Sequence, residues 1–183
     1  MRARRSLATG GSSAAQTSST AGPTSTARTT SATRRLRADG GGTDWAAATH
    51  AALLEIRRTL ERHPAVRQAR GHPSGEFTRV RAELDPRRLG VEADHGVLEV
   101  RWHAPGQGRD RPTFAFHYSD ETGCDGGWHH EPNPHVEGWG HRQWRGPDEE
   151  HYTYEPIAFA SLTPVRVCWS VLERLGVRLR ERG

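Results

Sequence analysis

The sequence contains no lysine; all 26 of its basic side chains are arginine. That bias points to a GC-rich genome rather than to a functional choice. It also removes one class of site. Without a Gly-Lys-Ser/Thr element, the glycine-rich stretches cannot form a phosphate-binding loop of the nucleotide-hydrolase kind. Cysteine is almost as scarce. Cys124 and Cys168 are the two present, far apart and in no CxxC pair. This excludes a disulfide scaffold and makes a reducing cytoplasm the expected compartment. No apolar run is long enough to span a bilayer. Hydrophobic residues make up 33% of the chain and mean hydropathy is −0.81, so part of the sequence is not expected to fold.

Basic charge is also missing where it would count. Residues 1–43 hold seven arginines and one acid, Asp39, a formal +6. The whole chain carries +4, which leaves −2 for residues 44–183. The body therefore has no overall basic field, and non-specific electrostatic DNA binding is disfavoured for it. Residues 1–43 are rich in Ser, Thr, Ala and Gly, with almost nothing apolar beyond Leu7 and Leu36. Such a segment cannot offset its chain entropy, so a disordered extension is expected. The opening RARRS resembles a signal-peptide start, but no apolar segment follows it, and secretion is not expected.

The body, residues 44–183, is enough for one ordinary domain with a core. Trp45, Ala48, Ala52, Leu53, Ile56 and Leu60 recur at helical spacing between Thr43, a plausible N-cap, and Pro64. This predicts a helix over about 44–62. The period then becomes two. Val80, Ala82 and Leu84 alternate with arginines and Glu83; Leu89, Val91 and Ala93 with acids; Leu98, Val100 and Trp102 with Glu99, Arg101 and His103. Phe114, Phe116 and Tyr118 alternate with Ala115, His117 and Ser119. A histidine-rich strand–loop–strand and a short strand near Tyr152 follow. Thr163 and Pro164 then open a closing helix with Val165, Cys168, Trp169, Leu172 and Leu175 on its apolar side. The expected fold is α+β: one antiparallel sheet of five to six strands, with an N-terminal and a C-terminal helix on one face. The other face is polar and open.

The unusual stretch is GWHHEPNPHVEGWGHRQ, residues 127–143, with four histidines, two prolines and two tryptophans. Pro132 and Pro134 forbid ladder hydrogen bonds, and Gly138 and Gly140 allow a sharp return. The expectation is that the loop gathers His130, His135 and His141, close to His117, Arg101 and His103 on the open face, with Glu99 and Glu131 nearby. Three readings follow. Two imidazoles can serve as general base and general acid beside an arginine that stabilises a phosphoryl oxyanion. RNA cleavage needs no metal for this, because the 2′-hydroxyl is the nucleophile. Alternatively, His130, His135 and His141 with Cys124 or Glu131 could ligate zinc, although the spacing matches no standard motif such as HExxH. Or the segment builds a rigid hairpin and nothing more. Trp139 and Trp144 are candidates for stacking on bases. His50, His63, His72 and His95 read as surface or turn residues.

The run FAFHYSDETGCDGGWHHEPNPHVEGWGHRQ, with the preceding GVLEVRWH and a closing helix, resembles small prokaryotic proteins found mainly in haloarchaea. More distantly, it is similar to the TumE-like toxins of toxin–antitoxin modules. Asn133, Pro134 and His135 correspond to that family's Asn/Pro/His element, and His141 to the first histidine of its second element. Proline directly follows Asn133 here, and Gln143 stands where the family's last histidine would be. The resemblance, over about 89–180, implies an RNA-cleaving toxin with an antitoxin partner. Separately, no cofactor and no membrane association are expected. The expected roles are His135 and His141 as acid–base pair, His130 assisting, and Arg101 or Arg142 on phosphate. His117, Asn133, Gln143 and Trp144 would contact substrate. The alternative is a non-enzymatic metal- or partner-binding module on the same loop.

Overall fold

A computed structural model describes residues 41–181 except Gln107. They fall in one unit, bounded at Arg37–Gly183. The expectation for the N-terminal extension lies outside the described residues up to position 40. Its last three residues belong instead to the first helix.

The element order is α1 (Gly41–Leu60), β1 (Val66–His72), β2 (Arg79–Leu84), β3 (Gly96–His103) and β4 (Thr113–Asp120). There follow β5 (Asp125–His130), β6 (Gly140–Arg145), β7 (Thr153–Pro156) and α2 (Pro164–Arg180). All seven strands form one sheet in the order β1-β2-β3-β4-β5-β6-β7, each antiparallel to its neighbour. A meander of this kind needs only local turns, so register follows from the alternation of each strand with the next. The α+β class is as expected, with seven strands in place of five to six.

The additional strand is β1. Only Ala69 is buried along VRQARGH. As the first strand of the sheet it pairs on one side only, with β2. Leu89–Asp94, which alternates like a strand, is not one. Pro86–Leu89 forms a short 3-10 turn ended by Gly90 at a φ of 91°. Leu89 and Ala93 are nevertheless buried, so the apolar pattern reports burial without a ladder.

One face of the sheet carries Val80, Ala82, Leu84, Leu98, Val100, Trp102, Phe114, Phe116, Tyr118, Trp128 and Trp144, all buried. Both helices cover this face. Ala52, Leu53, Ile56 and Leu60 of α1 pack there with Val167, Cys168, Val171, Leu172, Leu175 and Leu179 of α2. Thr49 replaces the expected Ala48 on the inner side of α1, its hydroxyl accepting the Ala104 N–H at 3.0 Å. The inner side of α2 is also rotated from expectation: Val167 and Val171 are buried, whereas Val165 and Trp169 are exposed. Thr163 occupies the N-cap of α2 without a side-chain capping bond, and Gly176 neither ends nor interrupts the helix. No helix among the described residues is long and apolar enough to cross a membrane.

Candidate active site

Strand parity divides the histidine-rich segment between the two faces of the sheet. His130 pairs with Phe114, and both side chains lie on the helix-covered face. The rings stack at 5.2 Å, with Trp139 5.5 Å away. His130 Nδ1 sits 2.8 Å from the Pro112 carbonyl. This ring is buried and structural, and the expected convergence of His130 with His141 does not occur. The reason is parity. A residue adjacent to His129 must point the other way, so only one of the two can join the open face.

His129 is the one that does. It pairs directly with His141 across β5 and β6, the two rings stacked at 5.0 Å and 15°. His117 on β4 lies 6.1 Å from His129, edge to face. Three adjacent strands thus place three imidazoles in a row. Arg101, one strand further along, is exposed on the same face, opposite Ala115. The residues lining the cleft there include Arg81, Glu99, Arg101, His117, His129 and Gln143, around a volume of about 370 Å³. Gly127 lies between His117 and Gln143 in register. A β-carbon at Gly127 would lie 2.2 Å from the Phe116 carbonyl oxygen, so no other residue fits without moving backbone.

Each imidazole is held by a different partner. His117 Nε2 lies 2.9 Å from Asp125 Oδ1, which also accepts a hydrogen bond from the Tyr152 hydroxyl. Burial and that bond raise the Tyr152 phenol above its ordinary range, so it stays a donor. His129 Nδ1 lies 3.3 Å from Glu131 Oε1. The bond from His129 is the largest influence on Glu131 and holds its carboxyl below the usual range, against its own partial burial. Asn133 fixes His141. Its carbonyl accepts the His135 N–H at 2.8 Å, which leaves its amide to donate to His141 Nε2 at 3.1 Å. Two imidazole nitrogens among the described residues are buried without a hydrogen-bond partner, His129 Nε2 and His141 Nδ1. Given the Glu131 contact at Nδ1, the free lone pair of His129 is on Nε2, which the structure buries.

Burial holds the His141 imidazole below its ordinary value of 6.5, and His129 beside it acts in the same direction. Glu131 and the Trp139 backbone oppose this. The folded state therefore binds this proton less tightly than the unfolded chain. Stability is intact above about pH 6.5 and falls as the pH drops toward the lowered value, because the unfolded chain takes up the proton first. Melting curves from pH 7.5 to 5 are expected to show this decline, up to ~1.4 kcal/mol per pH unit for one proton. The slope should be shallower in His141→Gln. Equal slopes would remove His141 as the cause.

Comparison with protein-family models, curated proteins and solved structures finds no match. The site is therefore read from its own geometry. His117, Arg101 and Gln143 line the cleft. Asn133 contributes by positioning His141. His135 is exposed and stacks on Tyr154 at 4.3 Å and 24°, and its backbone N–H bonds the same Asn133 that bonds His141. Arg142 is on the helix-covered face, where its Nη2 meets Glu155 at 2.6 Å. Trp144 is fully buried, between Tyr118, Trp128 and Arg178, and cannot stack on a substrate. His129, Asp125 and Tyr152 were not anticipated. The signal for His129 was present: it shares parity with His117 and His141 once the hairpin register is fixed. Among the described residues, no three His, Cys, Asp or Glu side chains are placed to hold a metal ion. Cys124 is buried in the core cluster, away from the three histidines expected to share it as ligands. Nor is His50 a plain surface residue, because its Nδ1 accepts the Phe77 N–H at 2.8 Å.

Proposed function

We propose that this chain cleaves RNA by metal-independent transfer of the phosphodiester to the 2′-oxygen, with the open face of β3–β6 as the active surface. The observation that carries the reading is the unpartnered His129 Nε2, buried beside His117 in a cleft that an arginine also lines. In this reading His129, oriented by Glu131, takes the proton from the 2′-hydroxyl. The 2′-oxygen attacks phosphorus and the bond to the 5′-oxygen breaks. His117, held by Asp125, gives that oxygen a proton, and Arg101 neutralises charge on the phosphoryl oxygens. The products are a 2′,3′-cyclic phosphate and a free 5′-hydroxyl, with no other reactant required.

The resemblance to TumE-like toxins supports the same chemistry and adds a toxin role, with an antitoxin protein as partner and the cytoplasm as its place of action. The test is cleavage of a labelled RNA by the purified full chain, with EDTA and with added zinc. Cleavage that persists in EDTA and ends in a cyclic phosphate is expected. Cleavage only with zinc would sink the mechanism in favour of a metal site. Absence of cleavage in every condition would leave a binding module.

A further inference from the structure

The open face continues past the imidazoles in both directions. On one side are exposed arginines. Arg79 of β2 pairs in register with Arg101 of β3, and Arg81 with Glu99. Arg79 is shared with Glu99 at 3.9 Å, whereas Arg81 and Arg101 form no ion pair among the described residues. On the other side are aromatic rings. Tyr154 of β7 pairs with Gln143, which lines the cleft. His135, exposed at the tip of the 131–139 loop, lies flat on Tyr154, and Tyr152 is 6.3 Å from Tyr154. The order across the sheet is thus cations, a row of imidazoles, aromatic pile. With strands about 4.8 Å apart, the five steps from β2 to β7 span roughly 24 Å.

This order fits a strand of nucleic acid better than a duplex. His129 is 4% exposed, so a ribose can reach its Nε2 only by entering the cleft. The cleft volume of about 370 Å³ is of the size that takes one small ligand, and a base-paired nucleotide cannot leave its helix to fill it without unstacking. An unpaired neighbouring base has a π face to lay on a ring, and cations alongside follow its phosphates.

We infer that the substrate is single-stranded RNA, with the nucleotide next to the cleaved bond stacked on the exposed His135 ring of the His135–Tyr154 pile and the backbone running toward Arg101 and Arg81. This rests on the nuclease reading for the identity of the cleaved bond. The stacking role of His135 is separate from any acid–base role, which its position on Tyr154 does not support. The experiment measures binding by fluorescence anisotropy. The probe is a short labelled strand with every 2′-hydroxyl methylated, free or annealed to its complement, and the full chain is titrated into it. The single strand is expected to bind more tightly than the duplex. His135→Leu is expected to weaken single-strand binding about tenfold, and His135→Phe to restore it, because phenylalanine stacks but carries no proton. Equal binding by wild type and His135→Leu, or a duplex bound as well as the strand, would overturn the inference. Cleavage of unmodified RNA is read on the same preparations. Binding that depends on His135 in a wild-type protein that cleaves nothing would defeat the nuclease reading alone. Cleavage without that dependence would defeat this inference alone.

Discussion

His129→Gln is expected to reduce RNA cleavage by about a hundred- to ten-thousandfold, the usual contribution of a positioned proton-transfer group. Glutamine occupies nearly the same volume and can still donate an amide N–H toward Glu131, so the packing of this 4% exposed position should survive. What it lacks is a basic ring nitrogen. Initial rates on a labelled single strand measure the effect, with a melting curve to show that the variant is folded. A folded variant that keeps more than a third of the wild-type rate would remove His129 as the base. His130→Gln is the internal control. It changes the adjacent residue but on the other face, where the ring contacts Phe114 and the Pro112 carbonyl. Its effect should appear in stability and leave the rate within about threefold. A purely electrostatic account of the histidine-rich segment predicts similar losses for both, since the two positions are adjacent in the chain.

The contrast between these two residues also shows what the sequence made legible. Alternation along β2, β3 and β4 identifies the buried face residue by residue, because each strand has one apolar face and a one-residue slip would expose it. The closing helix starts at Pro164 as its sequence signal indicates. β1 was illegible because it presents a single buried side chain, too few to set a period. The Leu89–Asp94 stretch misled for the opposite reason: it buries alternating residues in an irregular turn. At the candidate site, the residue pattern singled out the segment but not which of its side chains share a face. Grouping histidines by the loop that carries them put His130 and His135 at the centre. Their grouping is in fact set by the direct register of His129 with His141. That register depends on the loop closing through the Glu131 N–H and Trp139 carbonyl at 2.9 Å, a detail absent from the residue pattern. Asp125 and Tyr152 belong to the site only through folding. They are far apart in sequence, and their shared hydrogen bond is made between β5 and the residue just before β7.

Trp144→Ala is expected to cost about 3–5 kcal/mol of stability, the range for emptying a large buried aromatic site. A typical domain holds about 5–15 kcal/mol in total, so the variant should lose a large share of its stability. The indole is fully buried and parallel to Tyr118 at 6.3 Å, with Trp128 tilted against it at 5.9 Å and the Arg178 guanidinium of α2 5.4 Å from its ring. Removing it opens a cavity between sheet and helix that these rigid neighbours cannot fill. Trp144→Phe should lose less than half as much. Phenylalanine keeps most of the packing, and the indole N–H it deletes is buried without a partner, a group that costs about 1–3 kcal/mol to leave unsatisfied. Urea unfolding of the three proteins measures both differences through the midpoint at constant slope. Equal losses in the two variants would show that the N–H has an unrecognised acceptor and that its bond, rather than ring packing, holds this position. The same pair tests the division of the sheet into a structural and a working face. If Trp144 faced substrate, Trp144→Phe would conserve stacking and Trp144→Ala would impair binding of a single strand while leaving the urea midpoint unchanged. With Trp144 under α2, the alanine variant loses its midpoint first, and cleavage falls only in proportion to the folded fraction.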